Sequence, residues 1–338
     1  MQIKIRDKKN STLNRCELET KGFELNLKWN DRISKDLSYN IGFSLGDNQT
    51  KVTKYNNPTG ILSNWYAGKI VGEIWGFDVE KIMQTQEEVD KLNGANRTFN
   101  QQYIFGGTWN VGDFKYVDHT GDNVVDAGKE RTLTDHGDLR IIANSTPRFN
   151  YSISAGVNWK DFDFSMFWQG LMKQEFVPNR NNVFYYGWCS GGSTGSESGL
   201  FKDSPALDYW RPTDTQYSML GANTDALFAR RYSNSNDTYR NMPIDAQTGI
   251  SRFVLNARYL RLKNIQLGYN VPAELLKKIW VQRARIYVSG ENVLTFSPLP
   301  KAMEPETAVS GDHNYGGEVR GTTYPITKSI SFGINLTF

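Results

Sequence analysis

The sequence predicts an all-β protein: about seven strands of a large antiparallel transmembrane β-barrel with long extracellular loops. Three observations lead to this prediction. Several segments alternate apolar and polar residues with a period of two, short and long connections take turns along the chain, and 13% of the 338 residues are aromatic. Barrel strands alternate in this way and carry aromatic girdles at both membrane interfaces. The sequence has no continuous run of about 18 apolar residues, so it predicts no transmembrane helix.

The most regular strand pattern covers residues 326–338. One parity carries Ile326, Ile330, Phe332, Ile334, Leu336 and Phe338, and the other carries Thr327, Ser329, Ser331, Gly333, Asn335 and Thr337. A period of two places each set on one face of an extended strand. Soluble domains usually fray at their termini, whereas this segment alternates up to an aromatic residue on its apolar face. We therefore expect the last strand to close a sheet against a neighbouring strand.

Six further strands are predicted by the same criterion. They cover residues 23–29, 37–45, 149–159, 162–168, 252–269 and 284–288. In the fifth of these, the apolar parity shifts between Leu262 and Ile265, which predicts a β-bulge. The polar parity of the strands is rich in Ser, Asn and Gly, as expected for a watery lumen, and the apolar parity carries almost no charge, as expected for a lipid-facing surface.

The lengths of the connections are the stronger argument for a barrel. Short connections cover residues 30–36, 159–161 and 271–279, and long ones cover 47–146, 175–250 and 298–324. Outer-membrane barrels segregate short periplasmic turns from long extracellular loops in this way, whereas a β-sandwich has no reason to do so. Alternation alone also fits a soluble, secreted, carbohydrate-binding β-sandwich, in which the apolar parity is the core. That protein class is the alternative prediction.

Composition excludes several other functions. A net charge of +3, with 39 basic residues scattered among 36 acidic ones, gives no concentrated basic face for nucleic acid. Cys16 and Cys189 do not form a disulfide framework. The three histidines form no metal-binding spacing, and neither a nucleophile elbow nor a phosphate-binding loop is present, so no enzymatic activity is predicted. The first ten residues carry no signal peptide, and we therefore expect an exported protein of this kind to be a fragment.

One segment has the oxygen spacing of a Ca²⁺ loop. Side-chain oxygens of Asp118, Thr120, Asp122 and Asp126, with the backbone carbonyl of Val124, occupy relative positions 1, 3, 5, 9 and 7. The sixth position is Asn123 instead of glycine, and Asn tolerates the left-handed conformation required there. The twelfth position is Lys129, so the usual bidentate carboxylate is missing. The alternative is an Asx-rich turn without metal, and no other cofactor is predicted.

The second long connection is rich in aromatic residues. The candidates for contacts with a substrate or a partner are Tyr185, Tyr186, Trp188, Tyr209 and Trp210. Aromatic side chains stack on sugar rings and anchor protein partners. We expect this material to be surface-exposed, with packing of the loop on itself as the alternative for each residue.

Several motifs together resemble those of SusC/RagA-type TonB-linked (TonB-dependent) outer-membrane transporters. The segment 257–269, ARYLRLKNIQLGY, carries the strongest likeness, and 288–296 (VSGENVLTF) and 332–338 (FGINLTF) support it. Weaker matches are 21–25 (KGFEL), 71–77 (VGEIWGF) and the 118–126 loop leading to Arg131-Thr132. The likeness covers residues 17–338, as a partial transporter barrel, and residues 1–16 form an unmatched N-terminal segment.

The resemblance implies that these are the C-terminal strands of a larger plugged barrel that imports oligosaccharides or peptides. It implies a nutrient-uptake protein in the outer membrane, in contact with lipid and capped by a SusD-like surface lipoprotein, with TonB reached only through N-terminal parts absent from this chain. The terminal Phe338 resembles the aromatic end that outer-membrane assembly machinery recognises. The expected role of the chain is barrel wall, lumen lining and extracellular loops.

Overall fold

The computed structural model describes residues 2–3, 16–101, 108–178, 205–212, 221–230, 248–277, 280–301, 303–307 and 326–338. The strands are β1 Gln2–Ile3, β2 Glu17–Ser34, β3 Leu37–Lys54, β4 Glu73–Phe77, β5 Val79–Ile82, β6 Phe114–Tyr116, β7 Arg140–Asn144, β8 Arg148–Trp159, β9 Phe162–Lys173, β10 Glu175–Phe176, β11 Thr248–Ile250, β12 Leu255–Asn256, β13 Tyr259–Asn270, β14 Arg283–Phe296 and β15 Ser329–Thr337. Short helices are α1 Gln86–Asp90 and α2 Ala273–Leu276, with 3₁₀ turns at Pro205–Leu207 and Ser251–Phe253.

One large antiparallel sheet dominates the molecule. Its strand order is β1-β2-β3-β8-β9-β13-β14-β15, so the seven long strands that follow β1 are neighbours in the order in which the chain makes them. These wall strands (β2, β3, β8, β9, β13, β14 and β15) are the seven strands predicted from the sequence, and the all-β barrel prediction is confirmed. The first two are longer than predicted, at 18 residues each. The fifth begins at Tyr259 and not at residue 252, because the preceding 3₁₀ turn buries Phe253 in the core of the loops.

The apolar face of the sheet is open. Trp29, Ile41, Trp159, Ile286 and Phe332 are all at least half exposed, and Phe332 reaches 84%. A β-sandwich would bury this parity against a second sheet. The open apolar face therefore disagrees with the sandwich alternative and fits a surface made for a non-aqueous neighbour.

The predicted bulge is present in β13. Its pairing with both β9 and β14 shifts register between Leu262 and Asn264. Arg261 lies opposite Gln169 on β9, and after the shift Gln266 lies opposite Ser165. Because Gln169 and Ser165 share the polar parity of β9, the bulge brings Arg261 and Gln266 to the same polar face.

The hydrophobic core lies outside the sheet, among the long connections. Phe114 of the first connection packs on Phe253, in the 3₁₀ turn that directly follows the second connection, with ring centroids 5.8 Å apart, and Phe228 of the second connection lies 5.1 Å from the same ring. Leu299 and Met303 of the third connection are buried in the same cluster. The three long connections thus pack into one loop body at the end of the sheet opposite the short turns.

Local structure in the loop body follows simple rules. The helix α1 begins at a capping box in which the Thr85 hydroxyl and the Glu88 carboxylate each accept a backbone N–H of the first turn. Val89 is the buried residue of the helix and packs it against the core. Among the described residues, no helix has both the length and the apolar character needed to cross a membrane.

Candidate functional site

Backbone pairing and a buried ion pair join the first two long connections. The strand β11 pairs in parallel with β4, in the register of Thr248 with Trp75 and Ile250 with Phe77. Asp113 is fully buried and accepts a hydrogen bond from Arg230 at 2.8 Å. A buried carboxylate is costly unless it is paired, so this contact ties the second connection to the first.

Tyr209 and Trp210 lie at the boundary of the loop body and are half-buried. The backbone N–H of Trp210 donates to the carbonyl of Phe228 at 2.9 Å, and its indole N–H donates to Gln84 Oε1 at 3.1 Å. The guanidinium of Arg211 lies over the Tyr209 ring, 4.7 Å from its centroid. Both aromatic residues are packed on the buried cluster of the loop body, and their role in binding stays a prediction. The candidates Tyr185, Tyr186 and Trp188 lie outside the described residues.

Gly112 explains why Trp210 packs so closely. A Cβ at this position would lie 2.4 Å from Cε3 of Trp210, and the backbone φ of Gly112 is +91°. Both facts require glycine. This contact joins residues almost 100 positions apart, so no local sequence pattern reveals it.

The 118–126 segment forms a tight polar loop. The Thr120 hydroxyl oxygen lies 3.0 Å from Asp118 Oδ1 and 3.1 Å from Asp122 Oδ1, so that its single proton can be donated to either carboxylate. The backbone N–H groups of Gly121 and Asn123 donate to the Asp118 carboxylate at 2.6 and 2.7 Å. Asn123 adopts the left-handed conformation, with φ 63°, as its position in the loop requires. Oxygens of Asp118, Thr120 and Asp122 therefore converge at one point.

Further hydrogen bonds within the loop involve the other predicted positions. The Asp126 carboxylate accepts the N–H of Gly128 at 2.7 Å, and the Asp122 carboxylate accepts the N–H of Val124 at 2.8 Å. No group of three or more His, Cys, Asp or Glu side chains within the described ranges is arranged to hold a metal ion. The geometry thus combines three convergent oxygens with a network of Asx turns.

Asp138 organises this loop and was missed by the sequence reasoning. Its buried carboxylate accepts the N–H groups of His119, Thr120 and Asp126, at 2.7, 3.1 and 2.9 Å. It lies 12 residues beyond Asp126, outside the spacing of the motif, and the only hint is the local density of Asp and Gly.

Burial raises the pKa of Asp118, but hydrogen bonds from the Gly121 and Asn123 N–H groups outweigh it and hold that pKa below the usual value.

The apolar face has a sharp outer boundary at the Asp47–Arg148 ion pair. The guanidinium makes two hydrogen bonds of 2.6 Å to the carboxylate. On β3 the apolar parity runs from Leu37 to Leu45 and is interrupted by Asp47. These nine positions match the roughly 9–11 residues that a tilted strand needs to cross a bilayer. The outer parts of β2 and β3 therefore continue beyond the apolar band.

Aromatic residues mark the other boundary, next to the short turns. Trp159 stacks on Phe162 at 6.3 Å, and Phe162 lies 4.8 Å from the Tyr269 ring. These three residues form one cross-strand row on β8, β9 and β13. At the end of the last strand, Phe338 is 77% exposed and follows β15, which pairs with β14. Its role as an assembly signal stays a prediction.

Together these features define a class of protein: a stretch of membrane β-barrel wall with an apolar band between two interfaces and a packed body of long outer loops. Comparison with known proteins agrees. No family model matches the chain. Similar curated proteins are TonB-dependent receptor P3 of Formosa agariphila (25% identical, 95% of this chain and 29% of that protein) and TonB-dependent receptor SusC of Bacteroides thetaiotaomicron (22%, 97% and 27%).

Solved structures show the same fold. A structure of the RagAB peptide transporter matches with a TM-score of 0.60 and 19% identity, covering 96% of this chain and 30% of the matched chain. The RagAB peptide importer in its open-open state matches with a TM-score of 0.57, covering all of this chain and 31% of that one. The chain has the fold of the C-terminal barrel portion of TonB-dependent receptors, and the predicted resemblance to the SusC/RagA type is confirmed. It spans about 30% of the length of these relatives.

Proposed function

We propose that this chain forms barrel wall and extracellular loops of an outer-membrane, TonB-dependent importer of oligosaccharides or peptides, and that it catalyses no reaction. The observation that carries the proposal is the exposed apolar face, bounded by Asp47–Arg148 on one side and by the Trp159 row on the other. Relatives are named as receptors or transporters, and one solved relative is described as a peptide transporter. By the resemblance, contact with TonB belongs to parts outside this chain.

The test is membrane localisation combined with uptake. The natural polypeptide that carries these residues is expected in the outer-membrane fraction, extractable only with detergent. Its deletion is expected to abolish growth on one oligosaccharide or peptide as sole nutrient, in a TonB-dependent way. Recovery as an aqueous-soluble monomer would contradict the barrel proposal, and growth unaffected on every oligosaccharide and peptide tried would contradict the importer proposal.

The 175–250 connection is the proposed contact with a SusD-like surface lipoprotein. Two arguments support it: its length, and the half-exposed rings of Tyr209 and Trp210. A deletion for testing this should spare residues 205–212, because Trp210 packs on Gly112 and its loss would disturb the loop body. Removal of residues 185–200 is expected to weaken co-purification of the lipoprotein, and unchanged co-purification would rule out this segment as the contact.

Calcium at the 118–126 loop is a separate proposal, supported by the convergence of Asp118, Thr120 and Asp122. Ca²⁺ prefers such hard oxygen ligands and stabilises a folded state that binds it. Added Ca²⁺ is expected to raise the melting temperature of the natural polypeptide, and Asp122→Asn is expected to reduce that increase. The same melting temperature in Ca²⁺ and in chelator would identify the segment as a metal-free Asx turn.

A further inference from the structure

Four charged side chains from two separate chain segments meet on the polar face of the sheet. Arg261 of β13 contacts both Glu304 and Glu306 of the third long connection, the latter at 2.9 Å. Lys263 of the same strand contacts Glu306 at 2.7 Å. Arg261 Nε also donates to the hydroxyl of Thr295 on β14, at 2.9 Å. Two cations and two carboxylates thus neutralise each other at this point.

The bulge in β13 places these cations on the polar face. Gln266 and Gly268 face the polar side further along the strand, opposite Ser165 and Asp163. Without the extra residue between Leu262 and Asn264, the strict alternation of a strand would turn Arg261 and Lys263 towards the apolar face. The bulge is therefore the local feature that presents two cations to the third long connection.

Burial makes the carboxylates necessary. The Arg261 side chain is only 2% exposed, and a charge in such a place is unfavourable unless charged partners surround it. The segment that supplies the partners, residues 297–301 and 303–307, is also attached to the loop body through the buried side chains of Leu299 and Met303. It has one apolar attachment to the loops and one ionic attachment to the wall.

We propose that this segment is a strap, and that the ion cluster of Arg261, Lys263, Glu304 and Glu306 controls whether the strap lies against the polar face. The apolar attachment keeps the segment with the loop body, and the ionic attachment sets its position across the sheet. Under the proposed function that face lines the passage, so release of the strap would widen the outer mouth. The attachment itself is measurable without any transport.

Hydrogen exchange of the natural polypeptide in detergent tests the proposal, read on peptides that cover residues 297–307. In Glu304→Gln/Glu306→Gln, both carboxylate charges are lost, and exchange of these amides is expected to rise at least tenfold while exchange in β8 and β9 stays unchanged. The matched control is Glu274→Gln, which removes an exposed carboxylate in α2 and should leave the strap unaffected. If the double variant does not fold, Glu306→Gln alone keeps the Arg261–Glu304 pair and should still speed exchange.

Arg261→Met tests the same ion cluster from the side of the cation. This change keeps much of the apolar stem but leaves Glu304 without its buried cation, so the strap should exchange faster. Removing one partner of a buried ion pair is strongly destabilising, because the other charge is left without compensation. Unchanged or slower exchange in this variant, or in the glutamine variants, would show that Leu299 and Met303 hold the strap and would overturn the proposal.

Discussion

Arg285 of β14 reaches across the whole of β13 to bind Asp163 of β9, with Nε donating to Oδ1 at 2.9 Å. The side chain passes directly over Gly268, where a Cβ would lie 2.4 Å from Nη2 of Arg285. Asn270 donates to the same carboxylate at 3.3 Å. Three wall strands are therefore tied together on their polar face next to the short turns, and the glycine is a structural requirement of that tie.

Gly268→Ala tests this requirement. The added methyl group must displace the guanidinium or the carboxylate. Because both ionic groups are largely shielded from water, we expect the free energy of unfolding to fall by about 1–3 kcal/mol. Gly46→Ala is the matched control, since its Cβ would meet nothing closer than a carbonyl oxygen at 3.9 Å. Thermal unfolding followed by heat-modifiable gel migration measures both variants. Equal midpoints for the two would show that the pair tolerates the displacement.

The wall strands could be predicted from the sequence because each alternates regularly. The loop body could not, because it depends on contacts between residues that are far apart in the sequence. Each wall strand has its own period of two, and even the bulge near Leu262 appears as a shift of parity. The strands β4 and β11 are short, lack that period and pair across more than 170 residues. Trp210 looked like exposed recognition material because its packing partner, Gly112, lies in another connection. Asp138 was hidden for the same reason: its role depends on a fold-back and not on a spacing.

The buried Asp113–Arg230 pair should determine the stability of the loop body. Arg230→Gln removes the positive charge next to a carboxylate that has no exposure to water. We expect this change to lower the free energy of unfolding of the loop body by about 2–4 kcal/mol. Lys91→Gln is the control, because the Lys91–Glu87 pair is largely exposed and such pairs contribute about 0–1 kcal/mol. Limited proteolysis of the loops, followed by mass spectrometry, distinguishes the two. Equal protection in both variants would contradict a structural role for the buried pair.

The hydrogen bonds of Glu88 should make the helix α1 in the loop body sensitive to acid. Its hydrogen bond from Lys81, together with N–H groups of Gln84 and Thr85, lowers the pKa of Glu88 in the folded state. A carboxyl group with a lowered folded pKa stabilises the protein above its unfolded pKa, and that stabilisation is lost as pH falls through the folded value. The protection factors of the α1 amides, which correct each exchange rate for its intrinsic pH dependence, should therefore fall below about pH 4.3, the ordinary value for Glu. Glu88→Gln should flatten this dependence, and an equally steep profile in the variant would assign it to another group.

The two faces of β3 allow a direct test of the membrane surface. Ile41 lies midway along the apolar band and is about half exposed, and its neighbour Asn40 belongs to the polar parity. An arginine facing lipid near the bilayer midplane costs about 2–4 kcal/mol, whereas lumen positions tolerate charge. In liposomes, Ile41→Arg should therefore destabilise the natural polypeptide by about that amount, and Asn40→Arg by clearly less. If the apolar face met water instead of lipid, Ile41→Arg would be nearly neutral. Because the two variants change adjacent residues on opposite faces, the difference between their stabilities distinguishes a barrel wall from a water-exposed sheet.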